Sequence, residues 1–166
     1  NPSFSARETI ARYLEETNVE DGEFTTYVRL TPENVAAIED MGIELQETFY
    51  FDVNAGEGYT YRIFRSRKSI NKEHFMEGKT DVPADDEIRL ERVFMEDNQV
   101  SVGDETIIDG KSFTVVSCVV VPDYEHRVAE ISDVGTDEKF ALTFVNDAVY
   151  DELLSSHEGD EVYNYV

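Results

Sequence analysis

The side chains able to do chemistry are few and scattered. Histidines stand at positions 74, 126 and 157, and none has a second histidine or a cysteine at ligand spacing. A zinc centre needs three or four such ligands converging on one point, so His74, His126 and His157 read as surface or hydrogen-bonded histidines. The single cysteine, Cys118, lies inside Val115-Val116-Ser117-Cys118-Val119-Val120-Val121. There it reads as a small buried apolar residue rather than a nucleophile, and one cysteine cannot close an internal disulfide. Asp85-Asp86-Glu87 lacks the alternating acids, central glycine and terminal glutamate of a calcium loop and reads as a solvated turn. No serine occupies a nucleophile elbow, and no glycine loop has the phosphate-binding or dinucleotide pattern. Paired carboxylates are abundant because acids are abundant, so they do not point to glycoside chemistry. The expectation is a non-enzyme with no catalytic residue, no metal site and no cofactor of its own.

One group of charges stands apart. Arg62, Arg65, Arg67, Lys68 and Lys72 are five of the fourteen basic residues, set within eleven positions on a chain with 37 acidic side chains and a formal net charge of −23. Two readings compete: a docking patch for an acidic partner or headgroup, or a strand end and loop whose cations balance nearby carboxylates. Tyr124 is a further candidate contact residue, either exposed or packed against the preceding segment. The loops Val53–Gly58 and Asp123–Val128 are the surfaces a partner would most readily meet. The overall charge repels nucleic acid and anionic lipid. It fits a soluble outer domain, a salt-adapted protein or a mimic of DNA.

The elements that must position these groups follow from periodicity and punctuation. At 166 residues and 40% hydrophobic content the chain can bury a sizeable core, and no stretch approaches the ~18 apolar residues of a membrane span. After a frayed lead-in over Asn1–Ser5, Ser5 and Glu8 have capping-box spacing, and Ile10, Tyr13 and Leu14 continue a helix to about Glu16. Phe24–Leu30 alternates as a strand. Thr31-Pro32 starts a helix with an N-cap and a proline at the first turn, with Val35, Ile38 and Met41 on one face and Gly42 as its stop. Leu45–Val53 and Tyr59–Arg65 are strands. Ser69–Gly78 reads as helical, anchored by Ile70, Phe75 and Met76. Then come a short strand at Ile88–Leu90, a helical turn at Arg92–Asn98, and strands at Thr106–Ile108 and Ser112–Val121. Asp109-Gly110 lies between the last two, a strong hairpin signal because a type I′ turn needs positive φ twice. Pro122 ends the valine-rich strand. Phe140–Val145 is a strand, Asn146 or Asp147 caps a helix to Ser156, and Glu161–Val166 is a last strand.

The run DEIRLERVFMEDNQVSVGDETIIDGKSFTVVSCVVVPDY, from Asp86 to Tyr124, resembles the extracellular domain of FtsX-like ABC transporter permeases. An acidic strand, a short helix, a "VGD-I-I-GK-F-VV" hairpin and "PDY" follow in that family's order. The nearest resemblance is to large Gram-positive permeases whose outer domain is of the MacB-like periplasmic core type. Flanking residues extend it: Glu20–Phe24 with Leu30-Thr31, Arg62-Ile63-Phe64 with Arg67 and Ile70-Asn71, and Phe144-Val145 with Tyr150–Leu153. Ser117 and Lys139-Phe140-Ala141 depart from it, where relatives tend to carry glycine.

The resemblance implies an α+β fold of two lobes. A porter-like lobe would span 20–80 and 136–166, a split β-α-β/β-α-β arrangement with both helices on one face of a shared sheet. A small β-rich, Sabre-like lobe would be inserted at 81–135, and 1–19 would lead in from a membrane segment. It also implies an extracellular domain at the cell membrane that transmits ATP-driven movement to an unknown outside partner or substrate. ATP would be used by a separate cytoplasmic ATPase subunit, a second permease chain would complete the transporter, and no nucleic acid would be bound. The alternative is a free acidic inhibitor or DNA-mimic protein.

Overall fold

The computed structural model describes residues 2–124 and 138–166. Among them are α1 (Pro2–Thr17), β1 (Phe24–Thr26), α2 (Pro32–Glu39), β2 (Tyr50–Asn54), β3 (Thr60–Arg65), β4 (His74–Gly78), β5 (Glu87–Glu91), α3 (Arg92–Asp97), β6 (Glu105–Ile108), β7 (Lys111–Val120), β8 (Phe140–Val145), α4 (Asp147–Leu154) and β9 (Tyr163–Tyr165), and residues 122–124 are also helical. The class is α+β.

Seven strands form one mixed sheet in the order β2-β3-β8-β5-β7-β4, with β6 also on β7. The β3–β8 and β5–β7 pairs are parallel, and β8 meets β5 antiparallel, Arg89 opposite Phe144 and Leu90 opposite Thr143. Strands from the segment read as an insert therefore share a sheet with strands from the segments flanking it. The valine-rich β7 explains how. Ten residues long, alternating at its start and buried on both faces from Ser117 to Val120, it offers one edge to β5 and divides the other between β6 and β4. The turn between β6 and β7 has φ +52 at Asp109 and +76 at Gly110, the type I′ signature that this dipeptide favours.

Each face of the sheet has its own core. On one, Phe51, Val53, Tyr61, Ile63, Ile88, Leu90, Val115, Ala141 and Val145 are covered by Phe94 and Met95 of α3 and by Val149, Tyr150 and Leu153 of α4. On the other, Phe64, Leu142, Phe144, Val119 and Val121 pack with Tyr50, Phe75, Tyr124 and Phe140. Burying one such large side chain contributes about 1.5–3 kcal/mol, so β3, β8 and β7, which feed both cores, and β5, which feeds the first, are the stable centre.

Local corrections follow from what each segment finds to pack against. Residues 69–78 are not a helix. Phe75 and Met76 belong to β4, an edge strand on β7 whose register shifts between Phe75 and Glu77. The shared face of β-α-β helices is not formed as expected either, because α2 has no buried residue and Met41 is exposed. The helices over the sheet are α3 and α4. Residues 2–5 are helical rather than frayed, so Ser5 lies inside α1 and not at its cap. Phe24–Leu30 supplies only the three-residue β1, which pairs with β9 in a separate two-stranded sheet.

Two of the capped helices, α4 and α2, should differ in what their caps are worth. Asn146 Oδ1 accepts from the Val149 N–H at 2.8 Å, while its amide donates to Pro83 O at 3.0 Å and Asp85 Oδ1 at 2.9 Å. It therefore caps α4 and ties down the 83–85 link together. Asn146→Ala should cost about 1–2 kcal/mol in urea unfolding. Thr31 caps α2 through a longer bond, 3.3 Å to the Asn34 N–H. Thr31→Ala should change global stability by less than about 0.5 kcal/mol, because α2 covers no core.

Candidate functional site

Strands β2 and β3 run side by side only as far as the Tyr50–Phe64 pair. Beyond it the two chains part. Residues 46–50 turn to β9, with Gln46 N–H bonded to Val166 O and Thr48 N–H to Asn164 O, both at 2.8 Å. Residues 65–66 stay with β8, Ser66 N–H donating to Val145 O at 2.9 Å. The far end of the opening is closed by Gln46. Its Oε1 accepts from Ser69 N–H, Ser69 Oγ–H and Ile70 N–H, and its Nε2 donates to Ile70 O at 2.7 Å. The result is a three-sided cleft of about 320 Å³, lined among others by Thr48, Phe49, Phe64, Arg65, Ser66, Arg67 and Lys68.

Three members of the basic cluster, Arg65, Arg67 and Lys68, line this cleft, and most of the cluster is paired. Arg62 grips Asp52 through Nε and Nη2 at 2.8 and 3.1 Å, donates Nη1 to the Tyr124 hydroxyl at 3.1 Å and lies over the Tyr50 ring. Burial opposes its charge, but Asp52 and Tyr124 outweigh burial and hold the guanidinium above its ordinary pKa. Arg65 stacks on Tyr150 and bonds to Asp151 at 2.6 Å, with Asp147 at 3.4 Å. Lys68, 79% exposed, has Asp147 at 3.6 Å. Lys72 is half-buried, its backbone N–H held by Thr17 O. Tyr124 is half-buried, edge-on to Phe64 on β3, and packs on the cluster that includes Val119 and Val121 of the preceding segment.

Arg67 sits differently. Its side chain is only 2% exposed and is paired with Asp123, 6% exposed, and its guanidinium lies over the stacked Phe64 and Phe144 rings. Its backbone N–H approaches the Glu73 carboxylate, which also pairs with Arg89 at 3.5 Å; the Glu73 and Arg89 side chains are 3% and 4% exposed. Arg89 is further bound to Thr80 O, Asp81 O and Ser66 Oγ. Two arginines and two acids thus form a buried network beneath the cleft. It links the end of β3, the start of β4, the middle of β5 and the end of β7. Sequence reasoning missed Glu73, Arg89 and Asp123. Glu87, Arg89 and Glu91 alternate with Ile88 and Leu90 as an ordinary polar face would, so no local signal marked Arg89 as buried.

The other candidates carry no site. His157 Nε2 meets Asp109 Oδ2 at 2.6 Å and its ring stacks on Phe51, pinning the end of α4 to the β6–β7 turn. His74 faces Tyr13 and Glu16 of α1. Cys118 is buried, and burial first, then Glu91 and Glu77, push its thiol pKa up, away from nucleophilic use. Among the described residues no three His, Cys, Asp or Glu side chains are grouped to hold a metal ion, and no helix is long and apolar enough to cross a membrane. His126 and most of the 123–128 loop lie outside the described residues.

The acids of the interior give a sign to the pH dependence. Burial holds the Glu73 carboxyl above its ordinary value of 4.5, against backbone N–H donors and both arginines. Burial also raises Glu20 and Glu91. A carboxyl raised in the folded state binds its proton there before the unfolded chain does. Stability therefore increases as pH falls from neutral through the raised values towards 4.5. Glu87 is shifted the other way by Lys79 and the Ala84 N–H; its contribution is lost only as pH drops below 4.5. The net charge of −23 adds self-repulsion that protonation relieves. The melting temperature should be higher at pH 5.5 than at pH 7.5; the reverse order would contradict this assignment.

No family model matches the chain, and no curated protein matches it. Among solved structures, it is similar to the extracellular domain of the noncanonic ABC-type transporter YknZ from Gram-positive bacteria. The identity is 13% and the TM-score 0.42, over 92% of this chain and 74% of that one.

Proposed function

We propose that this chain is a non-catalytic extracellular domain of an FtsX-like ABC transporter permease, of the MacB-like periplasmic core type. It carries ATP-driven movement from a cytoplasmic ATPase, through a pair of permease chains, to a partner or substrate outside the cell. The observation that carries the reading is the ordered run from Asp86 to Tyr124, whose parts fall on β5, α3, the β6–β7 hairpin and the end of β7. A lever must not flex between its parts. The β5–β8 pairing and the Arg67–Asp123 and Arg89–Glu73 network supply that stiffness, because they join 81–135 to the segments on either side. In this reading the outer face of the cleft, with Arg65, Lys68 and Lys72, is where the outside partner docks. The test is to express the polypeptide encoded by the whole gene and fractionate the cells. The expected result is a membrane protein with an apolar run of ~20 residues on each side of this domain, co-purifying with an ATPase; a protein without such runs rejects the reading.

The net charge of −23 favours one other reading, a free acidic inhibitor of a nucleic-acid-binding protein. It requires binding to basic proteins at low salt, and a panel of DNA-binding proteins left unbound removes it.

A further inference from the structure

We propose that the cleft between the diverging ends of β2 and β3 binds a carboxylate or other small oxyanion. The inference is independent of the transporter reading. It starts from an imbalance of donors and acceptors. The lining holds three cationic side chains, Arg65, Arg67 and Lys68, and the hydroxyls of Thr48, Ser66 and Ser69. Its single acid, Glu47, is already taken: Arg29 binds both of its carboxylate oxygens at 3.0 Å. Gln46 Oε1 is occupied by three donors at the closed end. What the cleft offers is therefore N–H and O–H groups.

Two of these residues are buried with hydrogen-bonding capacity unused. Thr48 Oγ and the Nε and Nη2 groups of Arg67 have no hydrogen-bond partner among the described residues. Nε and Nη2 form one edge of the guanidinium, the edge that takes a carboxylate or phosphate through two parallel bonds. Leaving buried donors unmade costs free energy that an acceptor would recover. At the mouth, Lys68 is free to turn inward. Its contact with Asp147 is long and exposed, Arg65 competes for the same carboxylate, and an exposed pair of this kind contributes at most about 1 kcal/mol. Phe49 and Phe64 supply apolar walls, so the ligand is a small acidic group on a short apolar or peptide stem.

The chemistry is shared by the carboxylate end of a peptide and by free oxyanions, and one titration separates them. The isotope-labelled chain is followed by amide NMR at Thr48, Ser66, Lys68 and Ser69. The probes are N-acetyl-alanyl-alanine, its C-terminal amide, acetate and inorganic phosphate. Saturable shifts with the free-acid dipeptide, at a Kd of about 1–10 mM, and none with the amide are expected. Equal or tighter binding of phosphate would make free oxyanions the source; weaker phosphate would point to a peptide end. Lys68→Glu, on an exposed side chain, should weaken binding about ten-fold without affecting folding. Thr48→Val removes the unpartnered hydroxyl and should weaken it several-fold while leaving the melting temperature unchanged or higher. No saturable shift with any acidic probe, equal binding of the amide, or full binding by both variants overturns the proposal.

Discussion

Arg67→Ala should cost about 3–5 kcal/mol, the largest loss expected from any single charged residue here. The reason is what the substitution leaves behind. Asp123 would stay buried with its principal partner gone, and Glu73 would lose one of the two cations near it. The stacked Phe64 and Phe144 rings would lose the guanidinium that lies over them. Each remaining carboxylate must then ionise in apolar surroundings or take a proton. The decisive control is the pair Arg67→Met with Asp123→Leu, which removes both charges and keeps the volume filled. Replacing a buried pair by apolar groups is often close to neutral, so the double variant should recover most of the loss in urea unfolding. A small effect for Arg67→Ala would show that the network is not what binds these elements together.

Gly78→Ala should cost about 2–4 kcal/mol for a different reason. Gly78 closes β4 at φ +94, and a Cβ there would stand 2.1 Å from Val116 O and 2.9 Å from Ser117 Cα. Both are backbone atoms of the central strand β7, so the neighbour cannot yield by rotating a side chain. The edge strand must lift away, and with it the Lys79 N–H to Val116 O bond. Gly42→Ala isolates the conformational part, since Gly42 has φ +83 and nothing within 4 Å of its added Cβ. It should cost about 1–2 kcal/mol. Amides of residues 74–78 should exchange faster in Gly78→Ala and not in Gly42→Ala.

The strand at 74–78 also shows where local sequence stops being informative. Ile70, Phe75 and Met76 allow a helical reading because nothing within ten residues states that an unpaired edge of β7 is waiting for them. By contrast the Asp109-Gly110 turn, the Thr31-Pro32 start and the all-apolar run of β7 are set by local stereochemistry or by continuous hydrophobicity, and all three were legible. The basic cluster was legible as a cluster but not as a geometry. Arg62 and Phe64 share a face by strand alternation, but the cleft beside them opens because β2 and β3 diverge after Tyr50 and Phe64, where residues 46–50 pair with the β9 segment about a hundred residues further on. Glu73 and Arg89 left still less trace. Each is buried where partners from other segments meet it, and pairing across 16 positions has no local pattern.

The central claim, that the domain faces the outside of a cell, can be tested on the surface it would present. Ala55 is exposed in the β2–β3 turn, whereas Cys118, the sole cysteine, is buried and chemically quiet. An Ala55→Cys variant of the polypeptide encoded by the whole gene is treated on intact cells with a membrane-impermeant maleimide. Labelling of intact cells, absent in the parent protein, is the result the account requires. Labelling only after the cells are broken open would contradict it.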